Sequence, residues 1–311
     1  MPDSGGNPTT GTVWITGAAG FSARYLATLL RREHPTWHMI GLDRSPADRG
    51  DLDAYHSIDI TDFQRVKELA QAAPPRWVFH LAAAIPPATE EALWHVNVGG
   101  TRVLIEAVAG GAAERVRVLV TSSAAVYGES MVQINEGARA CGINTYGRSK
   151  WAQELVALAA GREFGVDVVI ARTFNLIGPG LPERLLAGAV CAQCIRSGAK
   201  RIRVGDLSAF RDFIDIRDAV EAYCRIVQQG RTHGIYNVCS GRATRVRTMV
   251  GQLIKLAGGG LSVEESGSRS KGREVARSWG DNSQLKALGW QPSFSLRRSL
   301  KDMLEHSSNH S

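Results

Sequence analysis

Thr12-Val13-Trp14-Ile15-Thr16-Gly17-Ala18-Ala19-Gly20-Phe21-Ser22-Ala23 is the stretch on which the fold turns. Its β-branched and aromatic opening predicts a strand. Small residues follow at once, and then a helical pattern that runs from Ser22 to Glu33. Glycines at a strand-to-helix turn let the backbone approach a pyrophosphate, and the helix N-terminus offers amide donors and a partial positive charge. The last small position is Ala23, where alanine serves the close helix–strand packing that the dinucleotide fingerprint requires. This reading assigns Gly17, Gly20, Phe21 and Ser22 to a dinucleotide cofactor. A second strand, Met39-Ile40-Gly41-Leu42, ends at Asp43. A carboxylate roughly 20 residues beyond the glycine loop is placed to bind the adenosine ribose hydroxyls, which favours NAD. Arg44 follows directly and suits a 2′-phosphate, so NADP stays open.

Outward from this unit the first half keeps alternating. Further strands are predicted at Trp77-Val78-Phe79-His80-Leu81, Val116 to Val120 and Val166 to Ile170. Helices are predicted over Phe63 to Ala72, Val98 to Gly110 and Lys150 to Glu163. Near-continuous apolar strands alternating with helices predict an α/β fold, a Rossmann-type doubly wound parallel sheet covered on both faces. The second half is less regular, with Gly178-Pro179-Gly180, Gly258-Gly259-Gly260 and a loop-like stretch from Ser266 to Gly272. The expected organisation is a disordered tail over 1–11 and a dinucleotide-binding domain over 12–175, to which 211–238 return. A smaller, mostly C-terminal α/β substrate lobe takes 176–210 and 239–311. Asp59-Ile60 fits an adenine contact after a third strand. His80-Leu81-Ala82-Ala83-Ala84 ends its strand in small residues, over which a dinucleotide can lie flat. His80 itself reads as a packed strand residue rather than a catalyst.

The chemistry lies in Tyr146-Gly147-Arg148-Ser149-Lys150 and in Ser122-Ser123, which closes a hydrophobic strand. Tyr146 and Lys150 are four residues apart and so project from one helix face. A phenol titrates near ~10. An ammonium group one turn away is expected to pull that value down. A serine hydroxyl at the strand end can bind the oxygen that gains or loses the proton. This is equipment for moving a proton on or off an alcohol or ketone oxygen.

Composition sets the bounds. The 311 residues are 44% hydrophobic and 22% charged, enough for a sizeable core. No apolar run approaches the ~20 residues of a membrane span, and Met1 to Thr10 lacks the basic start and apolar stretch of a secretory signal. Five cysteines do not suggest a disulfide framework. Cys191 and Cys194 form a C-x-x-C on the apolar run Leu185 to Val190, which reads as helix, so no metal is assigned. A reducing cytoplasm is expected. The net charge of +7 admits nucleic-acid binding. The basic residues are scattered, however, through Arg196, Lys200, Arg201, Arg203, Arg211, Arg217, Arg242, Arg245, Arg247 and Arg269 to Arg277, without interleaved aromatics. They read as solvated surface, with a few gripping a phosphorylated ligand, and neither nucleic acid nor membrane is expected as a partner.

Together these residues resemble the extended short-chain dehydrogenase/reductase family, the NAD-dependent epimerases and dehydratases of nucleotide sugars. The resemblance rests on the loop at Gly17, on His80-Leu81-Ala82-Ala83 and on Asn97-Val98-Gly99-Gly100-Thr101. It continues through Ser122 to Gly128, Tyr146 with Lys150, and Arg172 to Gly180. It ends with Arg211 to Asp218, Tyr236 to Gly241 and Leu288 to Pro292. It implies a catalytic trio of Ser123, Tyr146 and Lys150, with Lys150 also holding the nicotinamide ribose. Thr121 and Thr173 complete the implied cofactor set. Thr173 departs from the proline that relatives usually carry near the nicotinamide amide. Asn175 and Arg211 are implied to contact the substrate's nucleotide diphosphate, with Ser123 and Tyr146 at the sugar. Asn97 is expected to hold a helix start. The 4,6-dehydratases of the family need a neighbouring acid and base where this chain has Ala124 and Ala125, which argues against dehydration.

Two activities remain. The run from Arg172 to about Leu253 resembles GDP-6-deoxy-4-keto-mannose reductases. Ser122 to Gly128 with Asp43 resembles UDP-galactose 4-epimerases. The expected function is a nucleotide-sugar 4-ketoreductase using NAD or NADP, with a 4-epimerase as the alternative and an inactive cofactor-binding protein as the second. The resemblance also implies a homodimer through a four-helix contact made by Val98–Gly110 and Lys150–Glu163.

Overall fold

The strand–loop–helix unit at Thr12 opens a seven-stranded sheet in the structure, a computed structural model that describes residues 10–47, 49–111, 115–196, 200–265 and 276–309. Most of the expected tail, the loop expected over 266–272 and the arginines at 269 and 273 lie outside the described residues. The strands are β1 (Thr12–Thr16), β2 (His38–Asp43), β3 (Ala54–Ser57), β4 (Trp77–His80), β5 (Arg117–Ser123), β6 (Asp167–Thr173) and β7 (Ile235–Val238). Their order across the sheet is β7-β6-β5-β4-β1-β2-β3. The pairs from β3 across to β5 run parallel. The order reverses beside β1, as in doubly wound sheets that bind nucleotides at the strand ends.

The sequence accounts for most of these elements directly. Helix α1 (Phe21–Glu33) buries Ala23, Leu26, Ala27, Leu29 and Leu30, the stripe that a 3.6-residue period predicts. Helix α2 (Phe63–Ala72) spans the expected residues and starts at Asp62, whose carboxylate accepts the Arg65 amide. The short α3 (Glu90–Trp94) is capped by Thr89. The helix expected from Val98 begins instead with a π-helical turn, His95–Gly100, and continues as α4 (Thr101–Ala109). Helix α5 (Thr145–Phe164) starts five residues before the Lys150 expected from the pattern. Asn144 explains the early start, since its Oδ1 accepts the Gly147 amide at 2.7 Å in the manner of an N-cap.

The chain divides into two compact units. The first comprises 1–122, 149–171 and 226–235. Its core gathers Trp14, Ile40, Leu42, Val66, Val78, Leu104, Val118, Val120, Ala157 and Ile170 between sheet and helices. The second comprises 123–148, 172–225 and 236–311. It holds α6 (Leu186–Ile195), most of α7 (Ile216–Gln229), α8 (Val246–Leu256), α9 (Ser283–Lys286) and α10 (Leu296–Ser308), with short two- and three-stranded sheets. Helices α6, α8 and α10 pack on one another, with Cys191 buried on α6 and Cys194 half-buried. A smaller core of Val126, Tyr127, Ile134, Phe174 and Cys239 underlies the turn after β5.

Candidate active site

The first unit carries the residues expected to hold a cofactor. Gly17 has φ +68°, and a Cβ there would lie 2.8–2.9 Å from the backbone of Ala82. Glycine is therefore required where the loop after β1 crosses the end of β4. Thr16 reinforces that crossing by accepting the Ala82 amide at 3.1 Å. Helix α1 starts at Gly20 with no side-chain cap and no acid in its first turn, a helix start whose chemistry suits an anion. Asp43 ends β2 half-buried, its carboxylate accepting the Ala19 amide at 3.2 Å and the Ser45 amide at 2.9 Å. The predicted ribose ligand is thus tied to the predicted pyrophosphate loop. Arg44 is exposed next to it. Asp59 is exposed and Ile60 buried, with Ile60 filling the space opposite Gly100 in the π-helical turn. Burial would raise the Asp59 carboxyl, but bonds from the Thr61 amide and hydroxyl, with Arg44 nearby, hold it below its usual range. Leu81, Ala82 and Ala83 are half-exposed at the end of β4. A glycine turn with positive φ, an uncapped helix start and a small-residue strand end all fit a dinucleotide.

His80 is fully buried beneath this surface, as the sequence predicts. Counting donors assigns its tautomer. Thr101 Oγ1 donates its proton to the Asn97 carbonyl at 2.6 Å, so it must accept from His80 Nε2 at 2.9 Å. Thr16 Oγ1 donates to Nδ1 at 2.7 Å. Burial, with Lys150 nearby, pushes the imidazole down to about 3, so it is neutral at physiological pH. Asn97 holds the π-helical turn in place: Oδ1 accepts the Ala84 amide, and Nδ2 donates to the Ala84 carbonyl and to Ser149 Oγ.

Lys150, on α5, is 2% exposed, and its ammonium donates to the Thr121 carbonyl at 2.7 Å. Burial draws it down to about 7, with Glu154 pulling the other way. Thr121 Oγ1 in turn donates to the His80 carbonyl at 2.9 Å.

The second unit carries Ser123 and Tyr146. Gly147 lies so close to the 3₁₀ turn Ala124–Val126 that a Cβ would sit 2.2 Å from the Ala125 carbonyl oxygen. That approach brings the start of α5 to the end of β5, where Ser123 hydrogen-bonds the Tyr146 hydroxyl. Ser123 Oγ also accepts the Ala125 amide at 3.1 Å. The Tyr146 phenol is pushed up by burial, with the Ser123 bond as the countervailing pull. This corrects the expectation that Lys150 would lower it: in the protein alone, desolvation wins and the phenol holds its proton.

Thr173, in the usual proline position, shares a 2.8 Å hydrogen bond with Tyr223 of α7. Tyr223 is a second phenol electrostatically coupled to Tyr146; burial pushes it up to about 12. Sequence reading passed over Tyr223 because it sits on the apolar stripe of an amphipathic helix, indistinguishable there from core. Asn175 is exposed and donates to the Asp212 carbonyl, which places it beside Arg211. Asp212 is buried and accepts from the Ser240 amide and hydroxyl and from the Gly241 amide, fixing the turn behind Arg211. Among the described residues no group of three or more histidines, cysteines or acids could hold a metal ion, and no helix is long and apolar enough to cross a membrane.

The chain as a whole has known relatives. The NAD dependent epimerase/dehydratase family model matches residues 13–239. Over 307 residues the chain is 29% identical to the GDP-6-deoxy-D-mannose reductase of Pseudomonas aeruginosa, covering 95% of this chain and 96% of that protein. Among solved structures, RMD from Pseudomonas aeruginosa complexed with NADPH matches with a TM-score of 0.85 at 28% identity, over 97% of this chain and 100% of the other. MoeE5 in complex with UDP-glucuronic acid and NAD matches with a TM-score of 0.86 at 26% identity, over 97% of this chain and 100% of the other.

Proposed function

Because the chain belongs to the NAD dependent epimerase/dehydratase family, we propose that it is an NAD(P)-dependent nucleotide-sugar 4-ketoreductase with Tyr146 as proton donor. The observation that carries this reading is the half-buried Tyr146 phenol, hydrogen-bonded to Ser123 and shifted above its ordinary range by desolvation. A reductase needs an acid at the start of its cycle, and a phenol with a raised pKa is present in that form. Likeness over nearly the whole length of both chains to a GDP-6-deoxy-D-mannose reductase supports the same direction of reaction. Ala124 and Ala125 offer no group for eliminating water.

Gly17, Gly20, Phe21 and Ser22 would hold the pyrophosphate, and Asp43 with Arg44 the adenosine ribose. Asp59 and Ile60 would take the adenine, Leu81 to Ala83 the face of the dinucleotide, and Thr121, Lys150 and Thr173 its nicotinamide end. The bound dinucleotide supplies the hydride. Asn175 and Arg211 grip the nucleotide diphosphate, the arginine through its forked donors. Ser123 hydrogen-bonds the C4 oxygen of the sugar. Tyr146 gives that oxygen its proton, and the ammonium of Lys150 stabilises the phenolate left behind. A positioned acid of this kind contributes about 10²–10⁴-fold. Trp151 and Leu155 are exposed one turn apart on α5, an apolar stripe that supports pairing of two copies through α4 and α5.

The test is to purify the protein, identify any bound dinucleotide, and add NADH or NADPH with GDP-4-keto-6-deoxy-mannose. The proposal expects an exchangeable cofactor and its oxidation in step with keto-sugar reduction. A tightly retained NAD with interconversion of C4 epimers and no net oxidation would replace it with the epimerase reading.

A further inference from the structure

Ser122 and Ser123 are adjacent on β5, yet the fold separates them, because successive strand side chains point to opposite faces. Ser123 meets Tyr146. Ser122 is buried, and its hydroxyl donates to Glu154 Oε1 at 2.5 Å. Glu154 lies on α5 one turn beyond Lys150 and is 2% exposed. Two consecutive β5 residues therefore grip two consecutive turns of α5: the Thr121 carbonyl takes the Lys150 ammonium, and the Ser122 hydroxyl takes the Glu154 carboxyl. A buried acid needs a compensating partner, and nothing in the reaction above uses this one.

We propose that Glu154 is a positioning residue that keeps Lys150 in its ammonium form and, through Ser122, pins it to β5. The groups around Lys150 support this. His80, from β4, is neutral and supplies no counter-charge. Thr121, from β5, presents a carbonyl dipole. Tyr146, one turn earlier on α5, holds its proton. Glu154 is the group that favours the charged amine, while burial draws Lys150 down to about 7. At neutral pH the amine sits near its midpoint, so losing the neighbouring carboxylate converts much of it to the uncharged form. Sequence spacing alone could have pointed here, since Lys150 and Glu154 are an i, i+4 pair.

The inference rests on the proposed use of the Lys150 charge, but its test does not. Protein labelled with 13C at lysine Cε is titrated without cofactor or substrate, and Lys150→Met assigns the Lys150 resonance. Glu154→Gln retains volume and an acceptor for Ser122, and should lower the Lys150 midpoint by about one pH unit, a tenfold loss of proton affinity. Glu154→Leu should do the same if the glutamine variant fails to fold. Glu154→Asp keeps the charge and should keep the midpoint near that of the wild type. The alkaline limb of kcat/KM should move with the resonance. A folded Glu154→Gln or Glu154→Leu protein that titrates Lys150 like the wild type overturns the proposal, and so does Glu154→Asp falling as far as either. Absence of keto-sugar reduction by the wild type would instead sink the assigned reaction and leave the Lys150 titration to be judged alone.

Discussion

A phenol that gives up a proton at neutral pH must first be holding one. The Tyr146 phenol does so already at its ordinary value of ~10, desolvation shifts it further up, and it is hydrogen-bonded to Ser123. In the proposed reaction Lys150 would meet the phenolate with positive charge. Burial places its midpoint at about 7, and the charged form is lost as pH rises through that value. Reductive kcat should therefore decline on the alkaline side of neutrality, well below the titration of Tyr146. A profile flat from pH 6 to 9, measured with saturating cofactor, would remove Lys150 from the charge-stabilising role. Lys150→Met should abolish this limb together with most of the activity. That Tyr146 and Lys150 share one helix and that Ser123 closes a strand was legible in the sequence, from a four-residue spacing and an apolar run. The direction of the Tyr146 shift was not. It depends on how deeply tertiary packing buries a hydroxyl, and no local pattern states that.

At the scale of elements, the site depends on two close approaches that only glycine permits. Gly17 brings the loop after β1 against Ala82, and Gly147 brings α5 against Ala125. Gly17→Ala adds a methyl group at positive φ in contact with backbone. It should cost on the order of 1–3 kcal/mol and weaken dinucleotide binding more than ten-fold, read by calorimetric titration. Asn144→Ala removes the acceptor at the start of α5 and should lower stability by about 1 kcal/mol while raising KM for the sugar nucleotide, since the turn it frays carries Tyr146. The sequence showed where α1 and α2 lie because their apolar stripes are regular. It did not show the π-helical turn at His95–Gly100, whose extra residue is held by side-chain bonds from Asn97 to Ala84 and Ser149, partners distant in sequence. A third strand was expected just before Asp59, but its bounds, Ala54–Ser57, were not legible, because it is short and edge-placed with its side chains only partly buried.

Across the whole molecule, charge that the sequence offers as scattered surface is partly structural. Arg217 bridges Asp215 and Asp302, and Arg117 pairs with Asp167 across neighbouring strands. His80 gives the fold a specific acid weakness. Its folded value is about 3 against 6.5 in an unfolded chain, so between these limits the unfolded state binds the extra proton. Stability is full above pH 6.5 and falls as pH drops towards 3, by up to about 5 kcal/mol from this group. His80→Gln should be less stable at pH 7, having lost bonds to Thr16 and Thr101, yet should show a shallower decline of Tm below pH 6.5. Parallel acid limbs would assign the lability elsewhere.

Whether Tyr146 protonates a C4 keto oxygen as hydride arrives can be decided by one comparison. NADPH oxidation by wild type and Tyr146→Phe is followed with GDP-4-keto-6-deoxy-mannose at saturation, with cofactor affinity measured in parallel. The variant should bind NADPH like the wild type and lose at least about 10²-fold in kcat. A variant that retains more than about a tenth of wild-type kcat would contradict it.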